Sequence, residues 1–119
     1  MSTWNEAPKN SRQVFDHLKL LAKRMRVETY GEIATAIGQA EDREIAAVSL
    51  SFPLGFIRDK ICRPRGLPWL NALAVNVAHW LPGDSFLPKG VAFGSDEQIL
   101  WRGAVLAAFA YPWETVVVD

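Results

Sequence analysis

The sequence predicts an α+β fold in which helices fill the N-terminal half and a short β-ribbon and a final helix follow. Three observations predict it. Apolar residues recur at helical spacing through the N-terminal half, residues 70–77 are apolar except for Asn71 and Asn76 near the edges, and helical spacing returns from Asp96 to Ala110. With 119 residues, 50% of them hydrophobic, the chain is long enough for one core. We therefore expect one domain over residues 1–119.

The first two helices carry the clearest local signals. Residues 1–9 are expected to form a loose arm, and Asn10 or Ser11 can cap a first helix that ends near Arg26. Thr29-Tyr30-Gly31-Glu32 fits a capping box at the start of a second helix, with Gly38 as its C′ residue. The apolar face of the first helix consists of Val14, Phe15, Leu18, Leu21, Ala22 and Met25.

Two shorter helices are predicted next. Asp42 is suited to cap a third helix, whose buried face would carry Ile45, Val48 and Phe52. The spacing of Leu54, Ile57 and Ile61 predicts a fourth helix to about Cys62. Pro64 and Gly66 would end it.

The C-terminal half carries the predicted strands and the last helix. The run from Leu70 to Val77 is expected to be a buried strand, paired across a turn at Pro82-Gly83-Asp84 with a short strand over 91–93. Ser95 and Gln98 form a second possible capping box before the helix over 96–110, and Pro112 stops that helix. The β-branched tail over 115–118 predicts an edge strand.

The start of the second helix resembles a known DNA-binding family. The ten residues from Thr29 to Gly38 look like the first part of the helix-turn-helix in alkylguanine-DNA alkyltransferases and alkyltransferase-like proteins. Ala47-Val48-Ser49 is similar to the Ala-Val-Gly of that family's recognition helix, and Leu67-Pro68-Trp69-Leu70 to its next strand entry. The resemblance covers roughly residues 14–75. It implies a winged-helix-like scaffold in which Tyr30 contacts the DNA backbone.

The sequence departs from that family at its reactive positions. Leu73-Ala74-Val75-Asn76 stands where the family has its Pro-Cys-His-Arg acceptor motif, and Ala46 stands where the family has the arginine that enters the base stack. The segment between Ser49 and Leu67 is also longer than in the family. The resemblance therefore implies the scaffold and not alkyl transfer.

Charge distribution yields candidate DNA contacts. Lys and Arg number 13, as do Asp and Glu, so the net charge of zero argues against a strongly basic, non-specific polyanion binder. Bases are nevertheless concentrated in residues 58–65, which contain four bases and one acid, although a solvated helix end explains this cluster equally well. The residues predicted to contact DNA are Tyr30, Arg43, Arg58, Lys60, Arg63, Arg65, Lys19 and Lys23.

A protein partner is the alternative. The last helix is apolar on nearly every side, which is typical of a central core helix or of an oligomer interface. Trp80 and Leu81 lie in the loop before it, where they would either contact a partner or fold back on the core. The predicted partner interface comprises Trp80, Leu81, Leu100, Trp101 and Val105.

No convincing catalytic or metal-binding set is present. Cys62 has only His79 as a possible base, and a structural role for this thiol is the simpler interpretation. Glu41, Asp42 and Glu44 are adjacent acids that could bind a cation, but roles of Asp42 as an N-cap and of Glu44 as a first-turn residue are the simpler interpretation.

From these patterns we expect a small, non-catalytic DNA-binding protein, for example a regulator, that reads DNA with a helix-turn-helix. The alternative is a protein-interaction module on the same scaffold, acting as a homodimer or as an inhibitor or adaptor. We expect no cofactor and no metal. With no signal peptide and no apolar run of membrane-spanning length, a cytoplasmic location is expected.

Overall fold

The structure, a computed structural model, describes residues 2–76 and 95–119, and side chains of the last helix from residue 99 onward. Its elements are mostly helical, with one small sheet, which agrees with the α+β class. The helices are α1 (Ser11–Arg24), α2 (Tyr30–Glu41), α3 (Ser51–Phe56), α4 (Arg63–Arg65) and α5 (Ser95–Ala110). The strands β1 (Glu28–Thr29) and β2 (Ala74–Val75) pair in parallel.

Helix α1 presents its predicted apolar face to the core, but its ends differ from the prediction. Neither predicted capping residue caps the helix with its side chain. Asn10 has a left-handed backbone conformation and makes no side-chain capping bond, and the Ser11 hydroxyl donates to the Pro8 carbonyl at 2.6 Å. The helix ends at Arg24 because Met25 adopts a left-handed conformation, with φ 52°. That turn takes Met25 off the buried face, and its side chain is exposed.

Helix α2 begins as predicted and ends later. The Glu32 amide donates to the Thr29 hydroxyl at 3.1 Å and the Thr29 amide donates to the Glu32 carboxylate at 3.0 Å, which confirms the capping box. The predicted end at Gly38 is wrong, because the helix continues to Glu41 and Asp42 supplies the left-handed residue, with φ 54°. Asp42 therefore terminates α2 and does not cap a third helix.

Gly38 is required for a different reason. It lies inside α2, and residues 43–46 fold back closely over it. A Cβ atom at position 38 would lie 2.5 Å from the Arg43 carbonyl oxygen, closer than real Cβ contacts allow. Glycine at this position therefore lets the loop after α2 pack against the helix.

Residues 47–65 form one continuous helical segment, called here the mixed helix. It consists of a 3-10 turn (Ala47–Leu50), α3, a π-helical turn (Ile57–Cys62) and α4. The predicted third helix from Asp42 is wrong, since residues 43–46 are not helical. The late start changes the helical phase, so Val48 and Phe52, predicted to be buried, are 81% and 73% exposed.

The second half of the mixed helix keeps the predicted buried positions. Leu54, Ile57 and Ile61 are fully buried, as their spacing predicts. In the π turn, the Arg63 amide donates to the Arg58 carbonyl five residues back. Pro64 therefore does not stop the segment, which ends at Gly66 in a left-handed conformation with φ 63°.

The predicted strand over 70–77 is mostly replaced by helix. Leu70–Leu73 form a 3-10 turn, the two residues of β2 are extended, Asn76 forms a β-bridge, and Val77 lies outside the described residues. β2 pairs with β1, which the sequence did not indicate, in the register Glu28 with Ala74 and Thr29 with Val75. The other predicted ribbon strand, over 91–93, lies outside the described residues. The predicted edge strand over 115–118 is also wrong, because Trp113–Thr115 form a 3-10 turn and residues 116–119 are not in a strand.

Helix α5 covers the predicted span and closes one side of the core. Trp101, Val105 and Ala108 face inward, and the Trp101 indole donates to the Ala72 carbonyl at 2.8 Å. At the other side of the core, residues 3–6 form a 3-10 turn, and Trp4 packs on Phe15 with ring centroids 5.5 Å apart. The predicted loose arm is held to the domain at this contact.

Candidate functional site

The cluster of bases in residues 58–65 is largely engaged within the mixed helix. Arg58 contacts Asp59 through two hydrogen bonds of 2.7 Å, and the Arg63 guanidinium lies 3.4 Å from the same carboxylate. The hydrogen bonds from Arg58, together with the charges of both arginines, lower the pKa of Asp59. One acid therefore compensates two of the four predicted bases.

The other two bases differ in their availability. The Arg65 guanidinium donates to the Lys60 and Ile61 carbonyls at 3.0 and 3.2 Å, so it caps the C-terminal end of the mixed helix. Lys60 is exposed, and within residues 2–76 and 99–119 it forms no ion pair. Most of the densest basic patch in the sequence thus has an internal structural role.

Positive charge is most accessible at the C-terminal end of α1. Lys23, Arg24 and Arg26 are all exposed, and none forms an ion pair with another described residue. Lys23 and Arg24 lie in the last turn of α1, and the left-handed Met25 then ends the helix before Arg26. We call Lys23, Arg24 and Arg26 the basic end. Of these, only Lys23 was singled out from the sequence.

Arg26, the last residue of the basic end, closely precedes the N-terminus of α2 in the chain. Hydrogen bonds with Thr29 are the main cause of the lowered pKa of Glu32, and the positive charge of Arg26 lowers it further. Thr29 caps the first turn of α2, three positions after Arg26. Tyr30, the residue to which the family resemblance assigns a backbone contact, begins that same turn.

A surface depression of about 770 Å³ extends from Tyr30 along the exposed side of α2. Its two described acids are already engaged: Glu28 pairs with His17 at 2.7 Å, and Glu32 forms the capping box. No lysine or arginine, from residues 58–65 or from the basic end, is among its described lining residues. The depression is lined by Glu28, Thr29, Tyr30, Gly31, Glu32, Thr35, Ala36, Gln39, Ala47 and Asn76.

The remaining predicted DNA contacts occupy separate positions. Lys19 lies 3.7 Å from Asp16, and its ammonium group stacks over the Phe15 ring at 4.8 Å. The Arg43 guanidinium donates to the amide oxygen of Asn10, a neutral partner. Tyr30 thus begins α2, whereas Arg43 lies beyond the far end of that helix.

The mixed helix opens with an apolar surface that sequence reasoning missed. Val48 and Phe52 are one helical turn apart and strongly exposed, and Phe52 borders a depression of about 340 Å³. Two cations, Lys9 and Arg43, line this depression together with one acid, Glu44. Burial of Val48 and Phe52 was predicted from their spacing in a third helix that was expected to start after Asp42.

The predicted partner residues divide into two groups. Trp101 and Val105 pack on the protein's own core, whereas Leu100 is 63% exposed. Ile99 and Leu106, which were not singled out, are also exposed, and with Leu100 they form the outer apolar face of α5. Trp80 and Leu81 lie outside the described residues.

Cys62 is a buried thiol. Burial raises its pKa to about 11, against smaller opposing effects from the Leu70 backbone and Arg65, so the thiolate is disfavoured at neutral pH. Within the described parts of the chain, His, Cys, Asp and Glu form no group of three that is able to hold a metal ion. Nor does any helix in those parts have the length and apolar character needed to cross a membrane.

Comparison of the chain with known proteins matches no family model, no curated protein and no solved structure.

Proposed function

We propose that this protein binds double-stranded DNA without catalysis, with the basic end of α1 and the first turn of α2 against the phosphate backbone. The observation that carries the proposal is the set of three exposed cations, unpaired within the described residues, at the end of the helix that precedes Tyr30 in the chain. Arginine and lysine side chains and helix N-termini are the groups that proteins use most to contact DNA phosphates. The resemblance of residues 29–38 to a DNA-binding family supports the same surface.

The arrangement after α2 is compatible with this role. The close approach of residues 43–46 to Gly38 turns the chain sharply, and the mixed helix then starts near the exposed side of α2, with Ala47 beside the depression that Tyr30 lines. Two helices joined by a tight turn are the framework of helix-turn-helix readers. We propose the winged-helix form of this framework for the present chain.

The test is a binding titration with a fluorescent duplex at several salt concentrations. The triple variant Lys23→Gln, Arg24→Gln, Arg26→Gln should weaken binding and lower the slope of log affinity against log salt by roughly 2–3, since each phosphate contact contributes about 0.9. Lys60→Gln is the matched control, because it removes an exposed, unpaired base from the surface at 58–65.

Two results would contradict the proposal. The first is no binding of the wild-type protein to any duplex at low salt. The second is a loss of log affinity with Lys60→Gln that reaches one third of the loss with the triple variant. A general charge effect would give that ratio, because the triple variant removes three charges and Lys60→Gln removes one.

A second candidate function rests on the outer apolar face of α5. Ile99, Leu100 and Leu106 are between 63% and 68% exposed, which is unusual for three large apolar side chains on one helix. Gly103 lies among them, with open space where a side chain would be. Such a face supports contact with a protein, for example a second copy of the chain.

Sedimentation velocity tests this second candidate. If the face joins two copies, Leu106→Glu should convert a dimer into a monomer, while Gln39→Glu on the exposed side of α2 should not. A wild-type protein that sediments as a monomer at high micromolar concentration would exclude the homodimer.

A further inference from the structure

The exposed apolar pair on the mixed helix differs from an ordinary solvated helix face. Val48 and Phe52 are 81% and 73% exposed and one turn apart. The neighbouring hydroxyls point back to the chain: Ser49 donates to the Ala46 carbonyl at 2.7 Å and Ser51 to the Val48 carbonyl at 3.2 Å. This surface therefore offers a partner an aromatic ring and an aliphatic group, with both hydroxyl donors already used.

The space around Phe52 is open on one side and charged on the other. Gly55 follows Phe52 by three residues, and a Cβ atom there would have no other atom within 4 Å. Lys9 and Arg43 line the depression that Phe52 borders, and the Arg43 guanidinium donates to the neutral amide oxygen of Asn10. With Glu44 as the acid in the described lining, cations outnumber anions two to one.

We infer that Phe52 is a wedge that enters an opened base step of duplex DNA, with Val48 against the neighbouring sugar and Lys9 and Arg43 on the flanking phosphates. An apolar side chain inserted between base pairs is a known way to kink DNA, and its aromatic ring stacks on a base of any sequence. The exposed position of Phe52 and the cations beside it favour a nucleic acid over a protein pocket. The inference rests on the proposed DNA-binding function and adds a preference for distorted duplexes.

The preference follows from the energy needed to unstack a base step. A perfect duplex must be opened by the protein, whereas a duplex with a single-base bulge is already open. Wild-type protein should therefore bind the bulged duplex at least about tenfold more tightly than the perfect one. It should also shorten the end-to-end distance of the DNA, measured by energy transfer between terminal dyes.

The decisive variant is Phe52→Ala. This variant should bind the bulged and the perfect duplex with about equal affinity, and it should no longer shorten the end-to-end distance of the DNA. The melting temperature of the protein should stay unchanged because the Phe52 ring is exposed. Val117→Ala removes an equally exposed apolar side chain elsewhere and is the matched control. The triple variant of the basic end should instead weaken binding to both duplexes alike.

Each alternative outcome has one meaning. If wild-type protein binds DNA without preferring the bulge, or if Phe52→Ala keeps the preference, the wedge is wrong and DNA binding stands. If wild-type protein binds neither duplex, both inferences fail, and Phe52 is then a candidate contact for a protein.

Discussion

The close approach at Gly38 gives a sharp prediction, because a single methyl group tests it. Gly38→Ala places a Cβ atom 2.5 Å from the Arg43 carbonyl oxygen, and that oxygen belongs to the backbone. A flexible side chain would move aside, whereas here either α2 or residues 43–46 must shift. Since the mixed helix follows those residues directly, the shift also reaches Val48 and Phe52.

Two effects of opposite sign set the magnitude. Overpacking against a fixed neighbour costs roughly 1–3 kcal/mol of folding free energy. Replacing glycine by alanine inside a helix contributes about 0.5–1 kcal/mol of stabilisation, since it lowers the entropy of the unfolded chain. The overpacking term should be the larger, giving a net loss of about 1–2 kcal/mol and a melting temperature lower by roughly 4–10 °C.

Gly103→Ala is the matched control for this substitution. It makes the same chemical change inside α5, where a Cβ atom meets nothing within 4 Å. It should raise stability by about 0.5–1 kcal/mol. Urea titrations monitored by circular dichroism measure both variants, and a Gly38→Ala protein as stable as the wild type would refute the close approach.

Three further predictions test local features of the structure. Thr29→Ala should lose about 1 kcal/mol of unfolding free energy in urea because it removes the cap of α2, whereas Thr35→Ala on the exposed side should change little. The lowered pKa of Asp59 in the folded state adds stability above its unfolded pKa, near 3.8, and this stability is lost as pH falls through the folded pKa. Asp59→Asn should therefore lose less stability than wild type between pH 7 and pH 3, as judged from urea midpoints. Cys62, with a pKa of about 11 and no exposure, should react with a thiol reagent at pH 8 only after denaturant is added, and rapid labelling of the native protein would contradict its burial.

Local sequence signals predicted the parts of the fold that depend on neighbours in the chain. The capping box at Thr29 and Glu32 is formed within four residues, so no tertiary contact is needed to recognise it. The apolar face of α1 and the span of α5 follow from spacing alone, for the same reason.

Signals with two possible meanings were interpreted wrongly where the path of the backbone after α2 decides between them. A glycine such as Gly38 suits the end of a helix, and it equally suits a helix interior against which another segment packs closely. The position of the Arg43 carbonyl oxygen shows that the second case applies. Asp42 suits either end of a helix, and it terminates α2 because its own backbone is left-handed. These two errors moved the predicted start of the third helix and so hid the exposure of Phe52.

The candidate site shows the same division. The sequence by itself determined that bases concentrate in residues 1–28 and 58–65, that Tyr30 begins a capped helix, and that the last helix is apolar. Only the tertiary structure decided which bases remain available: Asp59 and backbone carbonyls engage most of those in 58–65, while the basic end of α1 is exposed with no ion pair to a described residue. It also decided that β2 pairs with β1, 46 residues apart, since strand pairing joins segments that no local pattern relates.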